Sequence, residues 1–155
     1  MMQLSDDEFW KSRFDLAGNF PFDWSNSAYD LLTSANVLDR FRGDYRRELL
    51  EDTSKTGGIQ RSLFERMSVV GVSAMLRAMA TECLLKALWV KYGGTLVKDG
   101  KYLGVLENKS REHQLNELAK AVSTKGDIQF TDRELKLLEY VSYWIMSGRY
   151  PIQKQ

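Results

Sequence analysis

The sequence predicts an all-α fold: one antiparallel bundle of four to five helices, with a small β-hairpin inserted around residues 95–106. Three observations predict it. Apolar residues recur at three- and four-residue spacing through several segments, the period of a helix with one buried face. Ser5, Ser62 and Thr131 are each followed three positions later by a glutamate, the pattern of a capping box at a helix start. Asp99-Gly100 stands between the short β-forming pairs Leu96-Val97 and Tyr102-Leu103, a strong hairpin signal. Mostly short connections make antiparallel neighbours the default.

The first helix is expected from Asp6 to about Ala17, capped by Ser5 with Glu8 and ended by Gly18-Asn19. Phe20-Pro21-Phe22-Asp23-Trp24 reads as an aromatic turn. Its rings are costly to leave in water, so residues 1–24 are expected to pack on the bundle. The second helix begins at Ser25 or Ser27 and reaches about Leu50. Ala28, Leu31, Leu32, Ala35, Leu38 and Phe41 form its apolar stripe. Thr53 to Gly58 is a loop by composition.

Ser62 with Glu65 opens a long helix reaching Tyr92. Val69, Val72, Met75, Leu76, Met79, Cys83, Ala87 and Val90 form one stripe, which Leu84, Leu85, Leu88 and Trp89 widen. A helix apolar over most of its girth belongs in the middle of a bundle or at a subunit interface. Gly93-Gly94 is its expected stop. After the hairpin, Ser110 caps a helix through about Val122 that buries Leu115, Leu118, Ala119 and Val122. Thr131 with Glu134 starts the last helix. Leu135, Leu138, Val141, Trp144 and Ile145 face inward, Gly148 is placed to end it, and Pro151 prevents continuation.

The 155 residues suit a single domain, and 43% hydrophobic with 28% charged residues is an ordinary globular balance. The net charge of +1, from 22 basic and 21 acidic residues, argues against a protein that coats nucleic acid by bulk charge. Arg40, Arg42, Arg46 and Arg47 alternate with Asp39, Asp44 and Glu48, which reads as a solvated helix face. Cys83 is the only cysteine, so no intramolecular disulfide can form, which fits a reducing compartment. No basic start precedes an apolar run, and no stretch approaches the ~20 apolar residues of a membrane span. A cytoplasmic protein without membrane contact is expected.

One histidine and one cysteine, His113 and Cys83, are too few for the usual zinc sets or for a di-iron bundle. No P-loop, dinucleotide fingerprint or nucleophile elbow occurs. No metal and no cofactor are therefore expected. Three features remain. His113, in Arg111-Glu112-His113-Gln114-Leu115 at the start of a helix, reads as a general base or phosphate-side donor, or more simply as a structural histidine. Glu82 and Lys86, spaced i,i+4, read as an exposed ion pair or as a partly buried pair lining a groove. Arg149-Tyr150-Pro151 reads as a helix stop, or as an arginine held rigid by proline to present its planar fork to phosphate. Taken singly, each has the simpler structural reading.

Taken together they resemble a known family. Ala80-Thr81-Glu82-Cys83-Leu84-Leu85-Lys86-Ala87-Leu88 is similar to an Ala-x-Glu-x-x-Leu-Lys-Ala-Leu helix. His113-Gln114-Leu115-Asn116-Glu117-Leu118 is similar to a His-x-Leu-x-x-Leu helix start, and Arg149-Tyr150-Pro151 to an Arg-Tyr-Pro after the last long helix. In this order and spacing they resemble the HEPN domain (higher eukaryotes and prokaryotes nucleotide-binding), over about the second half of the chain. The resemblance implies a helical bundle that often dimerises, so a homodimer is expected. It implies binding of a nucleotide or RNA phosphate, with Arg149 as the phosphate contact and His113, Glu82, Lys86 and Tyr150 in or beside the groove. Family members act as ribonucleases in toxin–antitoxin, antiviral or RNA-processing systems, or as non-catalytic partners of nucleotidyltransferases. The nuclease members carry Arg, four to six residues, then His. Here positions 106–108 are Leu106, Glu107 and Asn108, and no histidine follows Arg149, so that motif is absent. Binding without catalysis is the leading expectation. A ribonuclease using His113 and Arg149, and a non-catalytic interaction scaffold, are the alternatives.

Overall fold

The computed structural model describes residues 5–43, 51, 61–106 and 111–149, without the side chains of 61–68 and 147–149. Among them the chain forms helices α1 (Asp6–Gly18), α2 (Pro21–Arg42) and α3 (Arg61–Lys91), then strands β1 (Val97–Lys98) and β2 (Lys101–Tyr102). Helices α4 (Leu115–Lys125) and α5 (Asp132–Arg149) follow. The protein is a helical bundle with one two-stranded sheet, as the periodicity predicts, and no helix among the described residues is long and apolar enough to cross a membrane.

Local signals account for several boundaries. The Ser5 and Thr131 boxes both form: each hydroxyl accepts from the backbone N–H of its glutamate, and each glutamate carboxylate accepts in return from the cap backbone. The N–H of Gly93 donates to Val90 and that of Gly94 to Trp89, a Schellman termination, with Gly93 at φ +82°. In the hairpin Val97 faces Tyr102 and Lys98 faces Lys101. Its two turn residues, Asp99 and Gly100, both have positive φ, as a type I′ turn requires.

Other boundaries move. α2 starts at Pro21 rather than at Ser25 or Ser27, because a proline at the first helical position needs no N–H partner and already has helical φ. Of the aromatics there, Trp24 is packed and donates from Nε1 to the Gly18 carbonyl, while Phe20 and Phe22 stay half exposed. α2 ends at Gly43 within the described residues; Arg46, Arg47 and the expected run to Leu50, like the Thr53–Gly58 loop, lie outside them. α3 already includes Arg61, and the side chains of the expected Ser62–Glu65 box lie outside the described residues. α4 starts at Leu115, with Gln114 as its N-cap, several residues later than a Ser110 cap predicts. α5 runs through Gly148 to Arg149, so Gly148 does not end it.

α2 packs antiparallel on α3. Asp39 meets Ser73 and Arg77 at one end, and Trp24 meets Lys86 at the other. Ala28 and Ala35 on α2 and Ala80 and Ala87 on α3 are buried, and such small side chains let two helices approach closely. The main core joins α3, α4 and α5 through Ala78, Leu85, Leu115, Leu118, Ala119 and Ile145. The expected α3 stripe is partly displaced: Val72 is exposed, and the buried face instead includes Ser73, Glu82 and Lys86. α1 buries none of its residues and contacts α2 and β1.

Candidate functional site

Glu82 and Lys86 lie one turn apart on α3, on the face turned toward α2, α4 and the hairpin. Lys86 Nζ is 2.7 Å from Glu82 Oε1, and His113 Nδ1 is 2.8 Å from Glu82 Oε2. The Lys86 and Glu82 side chains are only 8% and 9% exposed, so this is a buried pair and not a solvated surface bridge. Lys86 sits over the rings of Trp24 at 5.2 Å and Tyr102 at 5.3 Å, which adds cation–π attraction to the ion pair. Burial pulls the Lys86 pKa down, but the Glu82 carboxylate and then Tyr102 outweigh it, and the net shift is upward. Lys86 therefore stays charged. The neighbouring Cys83 thiol is pushed up by burial and then by Glu82, so it stays protonated and is no nucleophile.

A second buried carboxylate extends the network. Glu112 is 4% exposed, and its Oε1 accepts from the backbone N–H groups of Val105 and Leu106, both at 2.7 Å. Its Oε2 accepts from the Tyr102 hydroxyl at 3.0 Å. Gly104, at φ +82°, lets the chain wrap this carboxylate; a Cβ there would lie 2.7 Å from Glu112 Oε1. Burial pushes the Tyr102 phenol up to about 12, against the pull of Lys86. Raised folded-state pKa values mean that the stability due to Tyr102 and Lys86 is complete below pH ~10 and is lost as pH rises. For Tyr102 that loss falls between pH ~10 and ~12, reduced by solvent screening of its exposed part. Urea midpoints measured across that range should fall in the wild type and fall less in Tyr102→Phe.

These residues brace a cavity of about 420 Å³ between the start of α4 and the second half of α5. The α4 side supplies Arg111, His113, Gln114, Asn116 and Glu117; α5 supplies Glu139, Ser142, Tyr143 and Met146. His113 is 26% exposed, with Glu82 behind it. A carboxylate can only accept, so Nδ1 carries the proton, and Nε2 becomes the basic nitrogen of the ring. Arg111 is braced by Gln114 Oε1, 2.8 Å from its Nε, and by Glu117 at 3.6 Å. Gln114 gives α4 no side-chain cap; Ser142 Oγ accepts from the Leu115 N–H at 2.8 Å instead, fastening α5 to the start of α4.

Of the residues singled out from sequence, His113, Glu82 and Lys86 come together. Only His113 lines the cavity; Glu82 touches it from behind, and Lys86 lies one step further back beneath Trp24 and Tyr102. His113 precedes the Gln114 cap rather than lying in the first turn of α4. Arg149 is the last residue of α5, and its side chain, with Tyr150 and Pro151, lies outside the described residues. Sequence reasoning missed Arg111, Asn116, Glu139 and Tyr143 on the cavity wall, and Glu112 and Tyr102 in the network. Arg111 and Glu112 had one visible signal, their adjacency to His113. Among the described residues no cluster of His, Cys, Asp and Glu could hold a metal ion. Comparison with protein-family models, with curated proteins and with solved structures returned no match, so the candidate site rests on its own residues.

Proposed function

We propose that this chain is a HEPN-like helical protein that binds the phosphate of a nucleotide or of RNA in the cavity between α4 and α5. One observation carries the reading. The Glu82–His113 contact joins two of the three segments that suggested it, 31 residues apart, and sets the imidazole on the wall of a cavity that also holds Arg111. Arg111 and His113 immediately precede α4, at the end where the helix dipole favours an anion. Arg149 is assigned as a further phosphate contact from the resemblance, and a toxin–antitoxin, defence or RNA-processing role and a homodimer follow from it too. A thermal-shift screen with nucleotides and short RNAs tests it. Ligand at about 100 times Kd adds ~2.7 kcal/mol to the wild type, and His113→Ala and Arg149→Ala should lose that shift while remaining folded. Equal shifts in all three proteins would place the site elsewhere.

The ribonuclease reading has one supporting observation, the carboxylate that orients His113 and leaves Nε2 as the basic nitrogen. It predicts RNA cleavage by the wild type that His113→Ala abolishes.

A further inference from the structure

We propose that the same cavity contains a nucleobase subsite, in which an unpaired base stacks on Tyr143 while its phosphate meets Arg111 and His113. This rests on the phosphate-binding reading and narrows its ligand to a nucleoside phosphate with an exposed base.

The cavity is too large and too mixed in charge for a bare anion. At about 420 Å³ it falls within the range of clefts that bury drug-sized ligands. Arg111 and His113 share the wall with two carboxylates, Glu117 and Glu139. Glu117 is engaged by Lys120 at 2.9 Å and Arg111 at 3.6 Å, but Glu139 has no ion-pair or hydrogen-bond partner among the described residues. An uncompensated carboxylate repels inorganic phosphate. It suits a ligand that brings hydrogen-bond donors along with its anion, such as an exocyclic amine or a ribose hydroxyl.

Tyr143 supplies the stacking face. The residue lines the cavity and is 53% exposed, and its ring meets Trp144 edge to face, with centroids 6.2 Å apart and planes at 78°. Glu139 lies one turn before it on α5, so a base on the ring has an acceptor within reach of its edge. Asn116, on the opposite wall, offers both a donor and an acceptor to that edge. A flat apolar ring flanked by such groups is the arrangement by which proteins hold single-stranded bases, since every base has a π-face. A paired base in a duplex has no open face to offer.

The test is titration calorimetry of the full chain with inorganic phosphate, AMP, a short single-stranded RNA and its duplex. Tyr143→Leu keeps an apolar contact with Trp144 but removes the stacking face; Tyr143→Phe keeps the ring. AMP or the single strand should bind at least tenfold tighter than phosphate or the duplex. Tyr143→Leu should weaken that binding roughly 10- to 100-fold, and Tyr143→Phe should restore it. Tighter binding of the strand than of AMP identifies RNA as the source of the base, and equal binding identifies a free nucleotide; both support the subsite when Tyr143→Leu is defective. If Tyr143→Leu binds AMP and the strand like the wild type while His113→Ala does not, the subsite is overturned and the phosphate reading stands. If the wild type binds none of the four probes, both fall.

Discussion

Glu82→Ala is expected to lower folding stability by about 3–5 kcal/mol, the usual consequence of stripping one partner from a buried ion pair. A domain of this size has only about 5–15 kcal/mol in total, so the loss takes roughly a fifth of it or more. The cause is what remains. Lys86 is 7% exposed, and Glu82 Oε1 is its carboxylate partner at 2.7 Å. Without that partner the ammonium must lose its proton or draw water into the space between α2 and α3, and the rings of Trp24 and Tyr102 do not replace an anion. Removing both charges is a different matter. Glu82→Leu combined with Lys86→Met leaves no buried ion, and apolar replacement of a buried pair is often neutral. The double variant should therefore recover most of the loss seen in Glu82→Leu alone, which a double-mutant cycle in urea measures as coupling. A loss below about 1 kcal/mol in Glu82→Ala would mean that Lys86 is solvated after all.

The same pair separates stability from function. His113 loses its orienting carboxylate in the double variant, whatever happens to the fold. A double variant that is stable yet blind to nucleotides would assign Glu82 a positioning role. One that still binds as the wild type does would make the network purely structural.

What the sequence made legible was local. A capping box is a contact between residues three apart, and those at Ser5 and Thr131 form as read. Asp99-Gly100 suits two successive positive φ angles, so the hairpin was visible from two residues and their flanks. Gly93 similarly marked the end of α3. Facing was harder. α3 is apolar over most of its girth, so periodicity could not say which side meets α4; the buried side turned out to carry Glu82 and Lys86, while Leu84 is exposed. Competing caps also misled. Ser110 promised an early start to α4, yet the helix begins where Ser142 of α5 accepts from the Leu115 N–H, a tertiary contact that no short window contains. The cavity has the same character, since its two walls lie on different helices. His113 could be picked out as the lone imidazole, but Glu82 as its partner could be named only through a resemblance, and Tyr143 not at all.

The second large effect lies where the hairpin meets α1. Asn19→Ala should cost about 2–6 kcal/mol, because it leaves two buried N–H groups without acceptors at about 1–3 kcal/mol each. Asn19 Oδ1 accepts from the N–H of Leu96 at 2.8 Å and of Val97 at 3.2 Å, and its Nδ2 donates to the carbonyls of Val97 at 2.7 Å and Asp15 at 2.9 Å. The side-chain amide thus serves the open edge of β1 as another strand would, with its donors and acceptor all engaged. Leu96 and Val97 are 0% and 2% exposed, so water cannot take over those bonds without opening the hairpin. Gly18 permits this approach, since a Cβ there would run into the Val97 side chain. Asn19→Asp keeps the acceptor but sets a second oxygen against the Val97 and Asp15 carbonyls, so it should destabilise as well. Hydrogen exchange checks the location: the amides of Leu96 and Val97 should lose protection first in Asn19→Ala, and those of the α4 core should follow only at global unfolding. A uniform loss of protection would contradict a local anchor. The hairpin also carries Tyr102, which hydrogen-bonds Glu112 beside His113. Freeing β1 should therefore loosen the turn that presents the imidazole, so Asn19→Ala should weaken ligand binding at a cavity to which Asn19 contributes no atom.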